Sequence, residues 1–303
     1  MATMKAESLF ARLCERHPEL SGEQYRVFSS TLQNLVIVVG DRLVFRFPLT
    51  SDTTSLRLEQ RMLPKLGTHV PLPIPQFRYA SGRKDKLCYV GYPIIPGEPL
   101  GAKRLESLNE RQRQTAAKQI AEFLSALHSF DGDSMTRVDT NRFRSEWRKN
   151  WSAYYRAMEL YVFPRIERRE RLWIMHVFYE FLYPSDHFRF TPCLLHGDFK
   201  NDHIFHDPAT GKLTGIIDFG SLRMGDPAYD YHDICLSYGE PFTRTVLDYY
   251  KGPSDRTFLR RVTGFYAHII RFSSLVRAVQ RKDWDKFALR LEWLKGKARE
   301  LDE

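Results

Sequence analysis

The sequence predicts an α+β chain in two parts, a small β-rich N-terminal lobe and a larger α-helical C-terminal lobe. Three observations carry this. The stretch from Tyr25 to Phe47 is rich in β-branched and aromatic residues and holds a Gly-Asp turn. A Pro- and Gly-containing segment, 93–97, then interrupts the chain, and beyond it most of the sequence has helical periodicity. Only the stretch from Cys193 to Gly220 returns to short apolar runs separated by loops.

Taken in order, residues 7–17 read as a short amphipathic helix with Leu9, Phe10 and Leu13 on one face. Tyr25–Ser29, Leu35–Val39 and Leu43–Phe47 read as strands, with Gly40-Asp41 as the hairpin turn between the last two. Thr53 or Thr54 caps a helix to Leu66 in which Leu58 and Met62 share a face, and Pro64 is expected to shorten it. Pro71, Pro73 and Pro75 force extended chain. Strands are expected around 76–80 and 87–92. This divides the chain into lobe 1–92, hinge 93–97 and lobe 98–303. In the second lobe, Asn109 caps a helix over 110–130, the region 142–183 reads as helical with its aromatics in the core, and the chain from Thr243 onward is helical.

Composition sets the class. Hydrophobic residues make up 43% and charged residues 27% of 303, as in ordinary globular proteins. No apolar run approaches the roughly 20 residues that span a bilayer, and the first ten residues are too polar for a signal peptide, so no membrane partner is expected. Cys14, Cys88, Cys193 and Cys235 lie far apart with no CxxC pair, which fits a cytoplasmic location better than a zinc site or a disulfide framework. The net charge of +9 is spread over two helical stretches, 142–171 and 256–299. It reads as solvated basic surface, with a nucleic-acid partner set aside.

The informative chemistry lies in Leu194-Leu195-His196-Gly197-Asp198-Phe199-Lys200-Asn201-Asp202-His203 and in Ile216-Ile217-Asp218-Phe219-Gly220. Each delivers polar residues from an apolar strand into a loop. The two carboxylates stand twenty residues apart, with a metal-capable side chain five residues after the first. Phosphoryl transfer needs such parts: a carboxylate to orient the attacking hydroxyl, ligands for a cation on the nucleotide phosphates, and further positive charge.

These segments resemble the catalytic and metal-binding loops of the aminoglycoside phosphotransferase family, small-molecule kinases with a bilobal protein-kinase-like fold. Gly225-Asp226-Pro227-Ala228-Tyr229-Asp230 and Ile95-Pro96-Gly97-Glu98-Pro99-Leu100 also resemble that family, and the likeness runs from about Tyr25 to Tyr250. It implies an ATP- or GTP-dependent kinase, with Mg2+, acting on a small-molecule hydroxyl, most readily that of an aminoglycoside or related antibiotic. A metabolic kinase of an amino alcohol or sugar, or a catalytically weak binding protein of the same fold, are the alternatives.

Residue by residue, the resemblance makes Asp198 the catalytic base, Lys200 a cation facing the γ-phosphate and Asp218 a metal ligand. Arg46 matches the strand cation that meets the phosphates, and Glu59 the helix carboxylate that holds it. Ser29, Ser30 and Thr31 lie in the expected phosphate-covering loop, and Tyr92, Pro93, Ile94 and Ile95 in the segment expected to hold the base. Two departures stand out. His203 occupies the position where most kinases carry Asn, although macrolide-type members of the family also carry His there. The loop 29–34 contains no glycine. Asp198, Asp230, Asp233 and Glu240 are expected to meet the acceptor, whereas Asp226, in a Gly-Asp-Pro turn, reads first as structural. The region 142–183 is expected to wall the acceptor pocket. Oligomeric state is not read from the sequence.

Overall fold

The computed structural model describes residues 2–30, 34–83, 85–131 and 138–299. In chain order the elements are α1 (Ala2–Arg16), β1 (Tyr25–Ser30), β2 (Asn34–Val39), β3 (Leu43–Pro48), α2 (Thr54–Leu66), β4 (Tyr79–Ala80), β5 (Val90–Pro93), β6 (Glu98–Pro99), α3 (Ala102–Ser107) and α4 (Glu110–His128). There follow α5 (Thr140–Ala157), α6 (Arg168–Leu182), β7 (Cys193–Leu195), β8 (Ile204–His206), β9 (Leu213–Ile216), β10 (Arg223–Gly225), α7 (His232–Tyr249), α8 (Phe258–Arg261), α9 (Ala267–Arg281) and α10 (Trp284–Arg299). Packing groups them into two compact units, Met1–Asp133 with Asn201–Leu222, and Ser134–Lys200 with Arg223–Glu303. The segment 93–97, where the sequence suggests a hinge, lies inside the first unit, and so does the excursion that carries Asp218.

The first unit is built on an antiparallel sheet of order β1-β2-β3-β5-β4. Alternation sorts its side chains. Leu35, Ile37 and Val39 of β2 and Leu43, Phe45 and Phe47 of β3 turn to one face, where they pack with Ala6, Leu13 and Leu20. The β2–β3 hairpin turns at Gly40 (φ 55°) and Asp41 (φ 49°), the left-handed pair that matches strand twist. In β1 the register slips between Val27 and Ser29, and this bulge leaves Phe28 65% exposed. The two strands expected around 76–80 and 87–92 are shorter and shifted, Tyr79–Ala80 and Val90–Pro93.

Helix α2 runs through Pro64 to Leu66, the end expected for it, and Pro64 does not shorten it. Leu56, Met62, Leu63 and Leu66 are all buried on one face, and this burial outweighs the one backbone bond that proline removes. Its first turn is capped from outside, by the Asp52 carboxylate accepting from Thr54 N at 2.9 Å. Helix α4 opens on a full capping box between Asn109 and Gln112. A small sheet of order β6-β8-β9 completes the unit, and Ile216 N donates to Pro73 O at 2.9 Å, tying β9 to the proline-rich segment.

The second unit is helical around an aromatic core. Phe181 and Phe265 stack at 3.8 Å and 2°, and Trp151 meets Phe265 edge-on at 5.1 Å. The helical stretch expected over 142–183 is broken by a π turn at Met158–Val162 and a 3-10 turn at Phe163–Arg165, the latter holding Pro164. Strand β7 pairs with β10, Cys193 opposite Gly225 and Leu195 opposite Arg223. Trp147 reaches this pair: a side chain at Gly225 would meet both it and Leu195. Among the described residues, no helix is long and apolar enough to cross a membrane.

Candidate active site

Strand β3 brings the first group into place. The alternation that buries Phe45 and Phe47 in the core sends Arg46 to the opposite face. There its Nη2 donates to Glu59 Oε1 of α2, and its Nη1 lies 3.5 Å from Asp218 Oδ1. Glu59 is only 3% exposed, on the same side of α2 as the core leucines. Burial would lower the Arg46 guanidinium's pKa, but the Glu59 carboxylate outweighs it and Arg46 ends above its ordinary value. Burial also pushes the Glu59 carboxyl up to about 7, against the pull of Arg46. Gly220 leaves room for this convergence, since a Cβ there would sit 3.4 Å from Asp218 Oδ1, 3.6 Å from Glu59 Oε1 and 3.8 Å from Arg46 Nη1.

Asp218 occupies the left-handed region, with φ 64°. That backbone is costly for most residues and tolerable for Asp. Its Oδ2 faces His203 Nε2 at 3.3 Å, and Ile217 N donates to His203 O at 3.0 Å. The structure thus gathers Arg46, Glu59, His203 and Asp218, four of the residues singled out in the sequence. A carboxylate and an imidazole facing each other are a donor pair that suits a divalent cation.

The loop after β7 carries Asp198. Its carboxylate accepts from Lys200 Nζ at 3.1 Å, and its backbone N–H donates to His196 Nδ1 at 3.3 Å. Gly197 takes φ 81°, a conformation glycine adopts without penalty. The backbone of the loop is held by Asp230, whose Oδ2 accepts from His196 N at 2.7 Å and Oδ1 from Gly197 N at 2.8 Å.

This corrects the expectation for Asp230. It is fully buried, and its carboxylate serves backbone amides of the Asp198 loop instead of facing an acceptor. Asp233 is 6% exposed, with His232 Nε2 3.2 Å from its Oδ2. Glu240 accepts from Arg244 on its own helix, at 2.6 Å. Tyr92 lies on β5 opposite Val44, and burial pushes its hydroxyl up to about 12. The Ile94 amide donates to Arg42 O at 2.9 Å, while Ile95 is buried and Pro93 closes the strand. Ser29 ends the bulge of β1; Thr31 and the Ser30 side chain lie outside the described residues.

A supporting network escaped sequence reading. Asp226 is fully buried and accepts from Arg261 Nε at 2.6 Å, Arg261 Nη2 at 3.0 Å, Tyr266 Oη at 2.9 Å and Ala228 N at 3.0 Å. Trp147 Nε1 donates in turn to Tyr266 Oη at 3.0 Å, and Asp255 pairs with the far side of Arg261 at 2.8 Å. The network anchors the turn between β10 and Asp230, and hence the loop that Asp230 holds. Asp226 therefore acts as the structural residue its Gly-Asp-Pro context suggested. No local pattern marks Arg261, Tyr266 or Trp147.

The fold and the sequence both have known relatives. Over 95% of this chain, and 97% of the other, the fold matches APH(2'')-IIIa in complex with GDP and kanamycin, with 28% sequence identity and a TM-score of 0.82. The viomycin phosphotransferase of Streptomyces vinaceus is 26% identical over 189 residues, covering 60% of this chain and 61% of that protein. Acyl-CoA dehydrogenase family member 10 of Mus musculus is 26% identical over 147 residues, 47% of this chain but 13% of that protein. The chain thus spans less than two thirds of either of these curated relatives. Residues 24–261 match the sequence model of the phosphotransferase enzyme family, and the chain belongs to that family.

Proposed function

We propose that this protein transfers the γ-phosphate of ATP or GTP to a hydroxyl of a small molecule, an aminoglycoside or related antibiotic. The observation that carries the reading is the convergence of Arg46, Glu59, Asp218 and His203, together with an Asp198 loop whose backbone is pinned by Asp230. The GDP and kanamycin named for the structural relative, and the viomycin named for the sequence relative, support the donor and acceptor classes.

Each group then has a task. Asp198 orients the acceptor hydroxyl and takes its proton as the new bond forms between that oxygen and the γ-phosphorus. The bond from phosphorus to the β,γ-bridging oxygen breaks, and the nucleoside diphosphate leaves. Lys200, whose Nζ lies beside the Asp198 carboxylate, meets the γ-phosphate. Arg46, kept in place by Glu59, meets the other phosphates with a fixed charge. Asp218 and His203 would hold Mg2+, which supplies neutralisation of the phosphate charge when bound. The base would lie against segment 93–97, within the first unit. Because the Ile94 amide is already bonded to Arg42 O, neighbouring backbone groups would serve the base.

The test is phosphate transfer from ATP and from GTP, with Mg2+, across aminoglycosides, macrolides, viomycin-type peptides and simple metabolite alcohols. A stoichiometric phosphorylated antibiotic, absent with Asp198→Ala, is the expected result. Transfer only to an amino alcohol or sugar would replace the acceptor class. Wild type as inert as Asp198→Ala across the panel would remove the reading.

A further inference from the structure

A cleft of about 760 Å³ opens between α5 and α6, within the second unit, and the site described above uses none of its lining. From α5 come Arg148, Ser152, Tyr155 and Arg156, spaced along one flank of the helix. The other flank carries Trp147, Trp151 and Tyr154; Trp147 and Trp151 pack on Tyr229 and Tyr266. From α6 come residues including His176 and Tyr179, and Tyr183 follows directly after the helix. The catalytic-loop and metal-loop segments contribute nothing to its walls.

Two properties set its chemistry. The surface inside is mostly apolar, with the Tyr179 and Tyr183 rings stacked at 4.2 Å and still 55% and 66% exposed. A volume of this size lined by aromatics is what a small-molecule site needs. The charged lining, moreover, is of one sign. Arg148 and Arg156 are paired with no carboxylate among the described residues, while Arg142 on the same helix pairs with Glu146 at 2.9 Å. Among the described residues, none that lines the cleft is acidic. Burial raises the pKa of the Tyr155 hydroxyl, and Glu159, one turn on, adds to this. The Arg148 guanidinium lies 5.4 Å from the centre of the Phe188 ring, which leaves its fork for an anion.

We propose that this cleft binds a small organic anion with a flat apolar body, an aryl or alicyclic carboxylate or sulfonate. Its rings lie on Tyr179 and Tyr183 and its charge meets Arg148 and Arg156. The cleft lies in the region 142–183 that the sequence reading gave to the acceptor wall, but it shares no residue with the Arg46–Glu59–His203–Asp218 cluster or the Asp198 loop, and the proposal does not depend on the reaction proposed above.

The probes are naphthalene-2-sulfonate and its neutral counterpart naphthalene-2-methanol, titrated calorimetrically into the full chain. The sulfonate is expected to bind at least tenfold more tightly. The double variant Arg148→Gln/Arg156→Gln should erase that preference and keep the wild-type melting temperature. Tyr179→Ser, at an exposed position, should weaken both probes alike. Equal affinity of the two probes in the wild type, or a preference that survives in the double variant, would overturn the proposal. So would displacement of the sulfonate by saturating GTP with Mg2+, which would make the binding part of the nucleotide site.

Discussion

Gly197 and Asp230 are joined by a 2.8 Å hydrogen bond from the backbone amide of the one to Oδ1 of the other, across thirty-three residues of chain. With its second oxygen on His196 N, a single buried carboxylate fixes two consecutive peptide units immediately before Asp198. Asp230→Asn puts an amide NH2 against one of those N–H groups. Hydrogen bonds to charged groups are worth about 1.5–3 kcal/mol each. We expect a loss of about 2–4 kcal/mol in urea unfolding, and a drop in kcat of at least tenfold with the KM for nucleotide little changed. An unchanged kcat in a stably folded variant would separate the loop's position from catalysis.

Asp198 and Asp218 should fail differently. Asp198→Ala removes the proposed proton acceptor and leaves the proposed cation ligands, so transfer should vanish while nucleotide affinity stays within about threefold. Asp218→Ala removes a proposed metal ligand that also faces His203 and Arg46, so the Mg2+ dependence of nucleotide binding should collapse. Metal titrations followed by nucleotide fluorescence distinguish the two. His203→Asn should keep activity with an altered preference between magnesium and manganese, because an amide oxygen is a harder donor than imidazole.

Arg46 depends on Glu59. Glu59→Ala would leave a guanidinium, itself largely buried, with only the more distant Asp218 carboxylate to balance it. Breaking one side of a buried pair costs roughly 3–5 kcal/mol. We expect lowered stability together with a KM for ATP raised about tenfold, and Arg46→Ala should raise the same KM. A Glu59→Ala protein with wild-type nucleotide affinity would show that Arg46 keeps its position without the carboxylate.

How much of this was legible in the sequence follows from what each contact depends on. Asp198, Lys200, His203 and Asp218 lie in two short segments whose chemistry is local, and the structure brings His203 to Asp218. The hairpin at Gly40-Asp41 was equally local. Arg46 and Glu59 stand thirteen residues apart on different elements and were found only through the resemblance. Asp230 was singled out for its charge, but charge does not reveal direction. The pairing of β7 with β10, which is tertiary, turns its carboxylate onto backbone amides. Arg261 was indistinguishable from the other arginines of a basic stretch, because its partner Asp226 is thirty-five residues away. The Thr31 part of the expected phosphate loop lies outside the described residues.

Arg261 and Asp226 are both fully buried, which makes their pair a test of asymmetry. Arg261→Met leaves Asp226 with Tyr266 and Ala228 but without a countercharge, and should cost about 3–5 kcal/mol. Adding Asp226→Asn removes the uncompensated charge, so the double variant should recover a large part of that loss in denaturant unfolding. If the double variant is as unstable as the sum of the single ones, the two residues do not act as a pair.

His187 gives stability a dependence on acid. It is 2% exposed, with Nδ1 3.0 Å from Phe181 O, which assigns the ring proton to Nδ1 in the neutral form. Burial lowers its pKa below the ordinary 6.5, and the nearby Arg261 and Arg260 charges add to this, while Phe181 O and Asp226 oppose it. The unfolded chain therefore binds a proton that the fold refuses. Above about pH 6.5 neither state is protonated and the full stability is present. As pH falls through 6.5 toward the lower folded value, stability drops by up to about 1.4 kcal/mol per pH unit, and the loss levels off below that value. Urea unfolding from pH 8 to pH 5 should show this, and His187→Gln, which cannot titrate, should show a shallower decline. Parallel profiles for the two proteins would mean that His187 takes its proton as readily in the fold as in the unfolded chain, and that other groups set the acid limit.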